Sequence, residues 1–215
     1  YNHRQKIKSH IDLKKKEILD VVDAEFDNRK NKEGFMLTKD EQSRGAKIVL
    51  GEAKDTAISL GGLYSDKLAP LIMPAMVEEK MVITLPNEIE MTSILDLATI
   101  RDEILDIKTG KRKNQDDVDN DRQLTFQSLM FKAKTKREPT AVGFGVLVDN
   151  KTPDLQLLQS TRNDEDYQAL INTINEAIKG IQAGIFSPAS EMSWWCSEAS
   201  CGFFRTCRFI GKNKL

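Results

Sequence analysis

The fold is decided by one stretch, Ile94-Leu95-Asp96-Leu97-Ala98-Thr99-Ile100-Arg101-Asp102-Glu103-Ile104-Leu105-Asp106-Ile107-Lys108-Thr109-Gly110. It predicts two short apolar strands joined by a polar turn, each with one carboxylate where an apolar side chain would pack better. Because side chains two apart on a strand share a face, Asp106 and Lys108 point the same way. Asp96, on the neighbouring strand, can lie beside them. Two acids converging beside a lysine predict a divalent-metal site, although a charged surface hairpin is the alternative for this pattern taken alone.

Composition places the chain among globular domains. It has 215 residues, 40% hydrophobic and 30% charged, which is enough for one domain with its own core. No apolar run approaches a membrane span, and the first residues lack the apolar core of a signal peptide. An initiating Met is also absent, so the sequence is compatible with a fragment of a longer protein. The net charge of -1 does not bear on nucleic-acid binding, but a basic loop at 111–113 and an acidic run at 116–121 create local fields.

The periodicity of the apolar residues predicts an ordered series of elements. The pattern at 9–29 indicates a helix, and the capping box Thr38-Lys39-Asp40-Glu41 starts a second helix that ends at Gly61-Gly62. Extended segments at 76–85, 89–98 and 103–107 predict an antiparallel meander of three strands. A helix at 120–134, strands at 139–148 and 155–159, and a long helix capped by Asn163 follow.

This order predicts an α/β fold with a central mixed β-sheet flanked by helices. We expect a single domain over 1–215, with a helical N-terminal part at 1–75, a catalytic core at 76–185 and a Cys-rich C-terminal tail at 186–215. No internal repeat or low-complexity tract interrupts it.

At this point the sequence resembles the PD-(D/E)XK nuclease superfamily, in particular its RecB-like and phage exonuclease branch. The matching residues are Val77-Glu78, Ile94-Leu95-Asp96-Leu97, Ile104-Leu105-Asp106-Ile107-Lys108-Thr109-Gly110 and Gln123-Leu124. That branch typically has a Glu before the first strand, an apolar-Asp-apolar strand, an Asp-apolar-Lys-Thr-Gly strand and a Gln-Leu helix. The resemblance covers about residues 76–131 well, and it implies the restriction-endonuclease-like core.

The resemblance also implies a role for each site residue. Asp96 and Asp106 would bind Mg²⁺ or Mn²⁺, with the backbone carbonyl of Ile107 as a further oxygen ligand. Lys108 would orient or deprotonate the attacking water and help neutralise the phosphate in the transition state. Glu78, favoured over Glu79 because it follows Val77, would bind the metal or hold a metal-bound water. Gln123 could hydrogen-bond a phosphate or position Lys108.

A basic loop, Lys111-Arg112-Lys113, directly follows the predicted catalytic strand. Its cations could contact the phosphates along a DNA backbone. The alternative, a solvated surface loop, explains the pattern equally well.

Three cysteines, Cys196, Cys201 and Cys207, lie among aromatic residues near the end of the chain. They look like the C-terminal triplet of iron–sulfur members of this branch, in which a fourth cysteine from near the N-terminus completes a [4Fe–4S] cluster. This sequence has no fourth cysteine. Zinc with an outside ligand such as His3 or His10, and plain packing of free cysteines, are the alternatives.

The resemblance implies a metal-dependent DNA nuclease, most simply an exonuclease that processes DNA ends in recombination, repair or replication. An endonuclease of the same fold and a non-catalytic nucleic-acid-binding module are the alternatives. DNA is the expected partner, with a homo-oligomer or a larger recombination or replication complex to be tested and no membrane association. We expect a cytoplasmic location in a bacterial or phage-infected cell.

Overall fold

The computed structural model of the chain describes residues 1–35, 37–85, 88–186, 188–190, 193, 195–197, 200–207 and 209. In these ranges the sheet consists of β1 (Pro74–Thr84), β2 (Glu90–Thr99), β3 (Glu103–Gly110), β4 (Ala141–Val148) and β5 (Asp154–Ser160). All five strands were predicted from the sequence, and their ends differ from the prediction by at most three residues.

The helices in the same described ranges are α1 (Asn2–Ser9), α2 (Lys15–Glu33), α3 (Lys39–Arg44), α4 (Ala46–Leu63), α5 (Gln115–Asp119), α6 (Arg122–Thr135) and α7 (Asp164–Gln182). A π-helical turn, Tyr64–Leu68, and two 3₁₀ turns, Ala69–Leu71 and Phe204–Thr206, complete them. Polar caps fix the starts of the core helices: Asp121 accepts a hydrogen bond from the Leu124 amide, and Asn163 accepts from the amides of Glu165 and Asp166.

The strands lie in the order β1-β2-β3-β4-β5. The first three form the predicted antiparallel meander, β4 is parallel to β3, and β5 is antiparallel to β4. A parallel pair needs a crossover connection, and α6 supplies it between β3 and β4. The fold is therefore the predicted α/β arrangement of a mixed sheet flanked by helices.

Two apolar clusters fill the two faces of the sheet. On one face, buried side chains of β1 to β4 pack against α5 and α6, and Leu158 of β5 packs against them; the buried members include Met81, Leu95, Ile104, Phe144, Val118, Leu124 and Phe131. On the other face α4 and the turns after it cover a smaller cluster of Leu60, Leu63, Leu68, Ile72, Leu97, Leu105 and Leu147. We call these the α6 face and the α4 face.

The N-terminal helices differ from the sequence prediction in their breaks. The helix predicted at 9–29 begins later, as α2 at Lys15, and a separate helix that was not predicted, α1, precedes it and ends at Ser9, where His10 adopts a left-handed φ of 59°. The second helix is divided at Gly45, which has a φ of 90°. Gly61-Gly62 does not end it, since α4 continues to Leu63. A Cβ atom on Gly61 would lie 3.1 Å from Cγ2 of Val22, so this glycine lets α4 approach α2 closely.

No helix in the described part of the chain is long and apolar enough to span a lipid bilayer. The division of the chain into residues 1–75, 76–185 and 186–215 remains a prediction.

Candidate active site

The apolar side chains of β1 and β2 switch from one face of the sheet to the other, and both strands make this switch at the same level. Leu95 packs on the α6 face and Leu97 on the α4 face, although residues two apart on a regular strand share a face. The cross-strand pairs on either side of Glu78 place it opposite Asp96. Glu78 has a φ of 49°, in the left-handed region that residues other than glycine rarely adopt. A strained backbone therefore lies within the sheet at the predicted site.

Asp96 and Asp106 lie together where β2 and β3 separate. The ladder between these strands has one residue pair, Ala98 with Ile104, and continuing that register places Asp96 opposite Asp106. Asp106 is 1% exposed, and its carboxyl group is within hydrogen-bonding reach of Asp96. Burial, together with the hydrogen bond and the negative charge of Asp106, raises the pKa of Asp96 to about 6. The two acids form a close and partly desolvated pair.

Lys108 lies beside this pair, as its spacing from Asp106 predicts. Its Nζ is 2.6 Å from Oδ2 of Asp106 and 5.7 Å from the ring centroid of Phe144 on β4. The ion pair lacks hydrogen-bond geometry, so Oδ2 of Asp106 is a buried oxygen that accepts no hydrogen bond from the described residues. The structure therefore brings Asp96, Asp106 and Lys108 together, with the lysine side chain about one-third exposed.

Glu78 and Glu79 turn to opposite sides. Arg4 of α1 forms an ion pair with Glu78, and both side chains are largely exposed, at 58% and 62%. Glu79 lies on the α6 face, where Nζ of Lys134 is 2.6 Å from its Oε1. The charge of Glu78 still acts on Asp96. Of the two acids, Glu78 is the one whose charge acts on Asp96, and its role at the metal remains a prediction.

The acid pair fits a hard divalent cation. Mg²⁺ and Mn²⁺ prefer oxygen ligands, and a cation would offset the repulsion between two crowded carboxylates, one of which has a buried oxygen without a hydrogen bond. Asp96 and Asp106 would hold such an ion, and the carbonyl of Ile107 remains the predicted further ligand. Among the described residues, no group of three His, Cys, Asp or Glu side chains is arranged to hold a metal ion. In this conformation Glu78 does not complete the set.

Gln123 and Gln127 occupy different environments on α6. Gln123 is exposed in the first turn, where the side chain of Asp121 already caps the helix, and its predicted contact with phosphate or with Lys108 stays a prediction. Gln127 is 2% exposed; its Nε2 donates to the Ile94 carbonyl at 3.4 Å, and its Oε1 accepts no hydrogen bond within the described part of the chain. The glutamine that approaches β2 next to Asp96 is therefore Gln127.

The basic loop Lys111-Arg112-Lys113 is tied to β5. Arg112 forms an ion pair with Asp154, and Gln156 exchanges two hydrogen bonds of 2.9 Å with the backbone of Lys113. The ammonium groups of Lys111 and Lys113 make no ion pair with the parts of the chain that the structure describes. Binding of DNA by this loop stays a prediction, with Lys111 and Lys113 as its unpaired cations.

Cys196, Cys201 and Cys207 are free and half-buried. They do not form part of a three-ligand metal group among the described residues. His3, one of the two histidines considered as an outside ligand, is buried with its Nε2 3.1 Å from Oη of Tyr64. The iron–sulfur cluster and the zinc site both remain predictions.

Three residues at or near the site, Phe144, Arg4 and Gln127, were missed by the sequence reasoning. Phe144 lies next to Asp106 in the parallel ladder and supports Lys108, but an aromatic residue in a buried strand is ordinarily a core residue. Arg4 reaches Glu78 from the N-terminal helix, and an isolated exposed arginine has no distinguishing pattern. For Gln127 a signal exists, because it occupies a buried position in the apolar period of α6.

Comparisons with known proteins identify the family and support the fold. A family model described as the PD-(D/E)XK nuclease superfamily matches residues 5–208. A crystal structure from Eubacterium rectale, described as a putative exonuclease, is similar with a TM-score of 0.55. It has 15% sequence identity, and the match covers 91% of this chain and 74% of that chain, so it supports the fold alone. No curated protein matches the chain significantly.

Proposed function

Because the chain belongs to the PD-(D/E)XK nuclease superfamily, we propose that it is a metal-dependent deoxyribonuclease that hydrolyses phosphodiester bonds at DNA ends. Membership of the superfamily implies hydrolysis of nucleic acids, and its nucleases generally use Mg²⁺ or Mn²⁺. The observation that carries the proposal is the convergence of Asp96, Asp106 and Lys108 at the point where β2 and β3 separate.

Each of these residues has a task for which its surroundings suit it. Asp96 and Asp106, with the Ile107 carbonyl, would hold the cation at the separated strands. A bound Mg²⁺ or Mn²⁺ ion supplies polarisation of the phosphate and a lowered pKa for a water molecule. Lys108, one-third exposed and supported by Phe144, can direct its ammonium group to a non-bridging phosphate oxygen or to the attacking water.

Other predicted residues would act on the substrate around this centre. Gln123 is exposed at the start of α6 and available to a phosphate. Lys111 and Lys113 extend the positive charge beyond the end of β3, on a loop that hydrogen bonds to β5 hold in place. Because phosphate contacts carry no base information, this surface would grip DNA without sequence preference.

The finer identity is part of the proposal. We assign the protein to the RecB-like and phage exonuclease branch, with a role in recombination, repair or replication, either alone as a homo-oligomer or in a larger complex. An exonuclease needs a DNA end, whereas an endonuclease of the same fold would cut closed circular DNA. That difference separates the two enzymatic alternatives, and binding without cleavage would identify the non-catalytic alternative.

The test is cleavage of end-labelled single- and double-stranded linear DNA, and of closed circular DNA, in Mg²⁺ or Mn²⁺. Labels at the 5′ and 3′ ends report the direction of digestion. Asp106→Ala and Lys108→Ala should each lower kcat by about 10²–10³-fold or more, since each removes charge stabilisation at the phosphate. Asp66→Ala and Lys67→Ala change exposed residues of the π-helical turn and serve as matched controls.

Cleavage of linear DNA alone, lost in the two site variants and kept in the two controls, is the expected result. Digestion that continues unchanged in Asp106→Ala and Lys108→Ala, or the lack of any cleavage with either cation, would contradict the proposal.

A further inference from the structure

The ion pair between Arg4 and Glu78 lies at the edge of the proposed catalytic centre. Glu78 is opposite Asp96, and its backbone φ of 49° fixes where its side chain leaves the strand. Arg4 reaches it from α1, a separate helix more than seventy residues away in the sequence. The charge of Glu78 also acts on Arg29 of α2 and on Asp96, so this acid interacts electrostatically with cations of the N-terminal helices as well as with the acid pair.

We propose that Arg4 is a phosphate-binding residue of the nuclease, which pairs with Glu78 until DNA and a divalent cation arrive and give each partner a new counterion. The inference rests on the proposed nuclease function. It assigns Glu78 to the metal and Arg4 to a phosphate of the bound strand. In the resting protein the two side chains neutralise each other, which is why Glu78 does not join Asp96 and Asp106 in a three-acid group among the described residues.

Breaking the Arg4–Glu78 ion pair costs little free energy. Ion pairs between exposed side chains contribute little to stability, and both partners here are more than half exposed. Neither group would be left without a partner, because the incoming cation and phosphate carry the two charges that the separated side chains need. The guanidinium group can hold two phosphate oxygens in a bidentate arrangement, which a lysine ammonium cannot do.

The rest of α1 is held firmly, so the Arg4 side chain can move without its helix. Lys6, 4% exposed, donates to Oδ2 of Asp12 at 2.7 Å and to the Ala69 carbonyl at 2.8 Å. Asn2, also buried, donates to Asp12 and accepts from the Leu13 amide, both at 2.8 Å. These bonds tie α1 to the segment before α2 and to the 3₁₀ turn at Ala69. Between Asn2 and Lys6, Arg4 is the charged residue that lies at the surface.

The experiment measures Mn²⁺ affinity without DNA, and KM and kcat for DNA, in the full chain. Arg4→Gln should bind Mn²⁺ about three- to tenfold more tightly than the wild type, because Glu78 is released and a repelling cation is removed. The same variant should raise KM for DNA by about tenfold with a smaller change in kcat, because one charged phosphate contact is lost. Arg4→Lys keeps the charge and should leave Mn²⁺ affinity near that of the wild type while KM rises in part.

Arg44→Gln is the matched control. Arg44 forms an ion pair with Glu52 that is about as exposed as the Arg4–Glu78 pair, at 50% and 57%, and its loss changes the net charge equally. It should alter neither Mn²⁺ affinity nor KM. Equal Mn²⁺ affinity in wild type and Arg4→Gln, weaker Mn²⁺ binding in Arg4→Gln, or an unchanged KM would overturn the role of Arg4 while the nuclease function stands. A wild-type protein that neither binds Mn²⁺ nor cleaves DNA would overturn both.

Discussion

Glu78 and Asp96 lie opposite each other in the β1–β2 ladder, at the level where both strands change the face that they cover. An L-residue at a φ of 49° in a strand costs free energy, and such strain is commonly kept at functional sites. The strained residue here is itself the acid opposite Asp96, so the distortion of the sheet lies beside the proposed metal-binding pair.

Glu78→Gly should raise the free energy of unfolding by about 1 kcal/mol, since glycine adopts the left-handed conformation without a Cβ clash and the lost exposed ion pair contributes little. DNA cleavage should fall in the same variant. Urea denaturation and the cleavage assay measure the two effects. Glu79 is the next residue and has ordinary strand backbone. Glu79→Gly should therefore lower the free energy of unfolding by about 0.5–1 kcal/mol. A Glu78→Gly protein less stable than the wild type would count against strain at this position.

Gly143→Ala should lower the free energy of unfolding by about 2–3 kcal/mol. A Cβ atom at this position would lie 2.2 Å from the Leu158 carbonyl oxygen, so the β4 and β5 backbones would have to move apart. Gly51→Ala in α4 is the control, because a Cβ there meets nothing within 4 Å, and it should add about 0.5–1 kcal/mol as helix propensity dictates. Denaturant unfolding of both variants tests the contrast, and equal effects would refute it.

The stability of the fold should depend on pH through His3. Burial, followed by repulsion from the N-terminal ammonium group, lowers the pKa of His3 from 6.5 to about 4. Between these values the unfolded chain binds a proton that the folded chain does not, so this contribution is complete above pH 6.5 and is lost as the pH falls towards 4. The loss amounts to about 3 kcal/mol. NMR titration of the His3 ring should show a midpoint near pH 4, and His3→Gln should flatten the unfolding profile; a midpoint near 6.5 would contradict this.

Mn²⁺ should stabilise the folded protein in the absence of DNA. A cation held by Asp96 and Asp106 binds the folded state alone, and saturation at a hundred times Kd would add about 2.7 kcal/mol, measurable as a rise in Tm of several degrees. Asp106→Ala should abolish the rise, whereas Asp66→Ala, at an exposed acid, should keep it. An equal rise in all three proteins would place the bound metal elsewhere.

The strands and their acids could be predicted because they depend on alternation and on spacing. Asp106 and Lys108 share a face wherever their strand lies, and the mixed sheet follows from the order of the elements. The change of face at Asp96 could not be predicted, since it occurs opposite the left-handed backbone of Glu78, a residue on another strand.

The helix breaks and the outer site residues had weaker signals. Gly45 divides the second predicted helix through a single positive φ angle, and α1, which ends before His10, has no counterpart in the prediction. Gln123 was selected through the resemblance, whereas burial singles out Gln127, one turn further along α6. Arg4 enters the site through packing of α1 against β1, a tertiary contact that no local pattern contains.

β2 and β3 share only the pair Ala98–Ile104, while nine pairs join β1 to β2 and eight join β3 to β4. The sheet is thus divided into a two-stranded part, β1–β2, and a three-stranded part, β3–β5, which one residue pair joins. Amide hydrogens should accordingly exchange with solvent in two classes. Those of β2 that point towards β3 and precede Ala98 in the chain should exchange faster than those of the β3–β4 ladder. The two proposed metal-binding acids, Asp96 and Asp106, belong to different parts of the sheet. Local opening of the two-stranded part would therefore separate them while the three-stranded part stays folded.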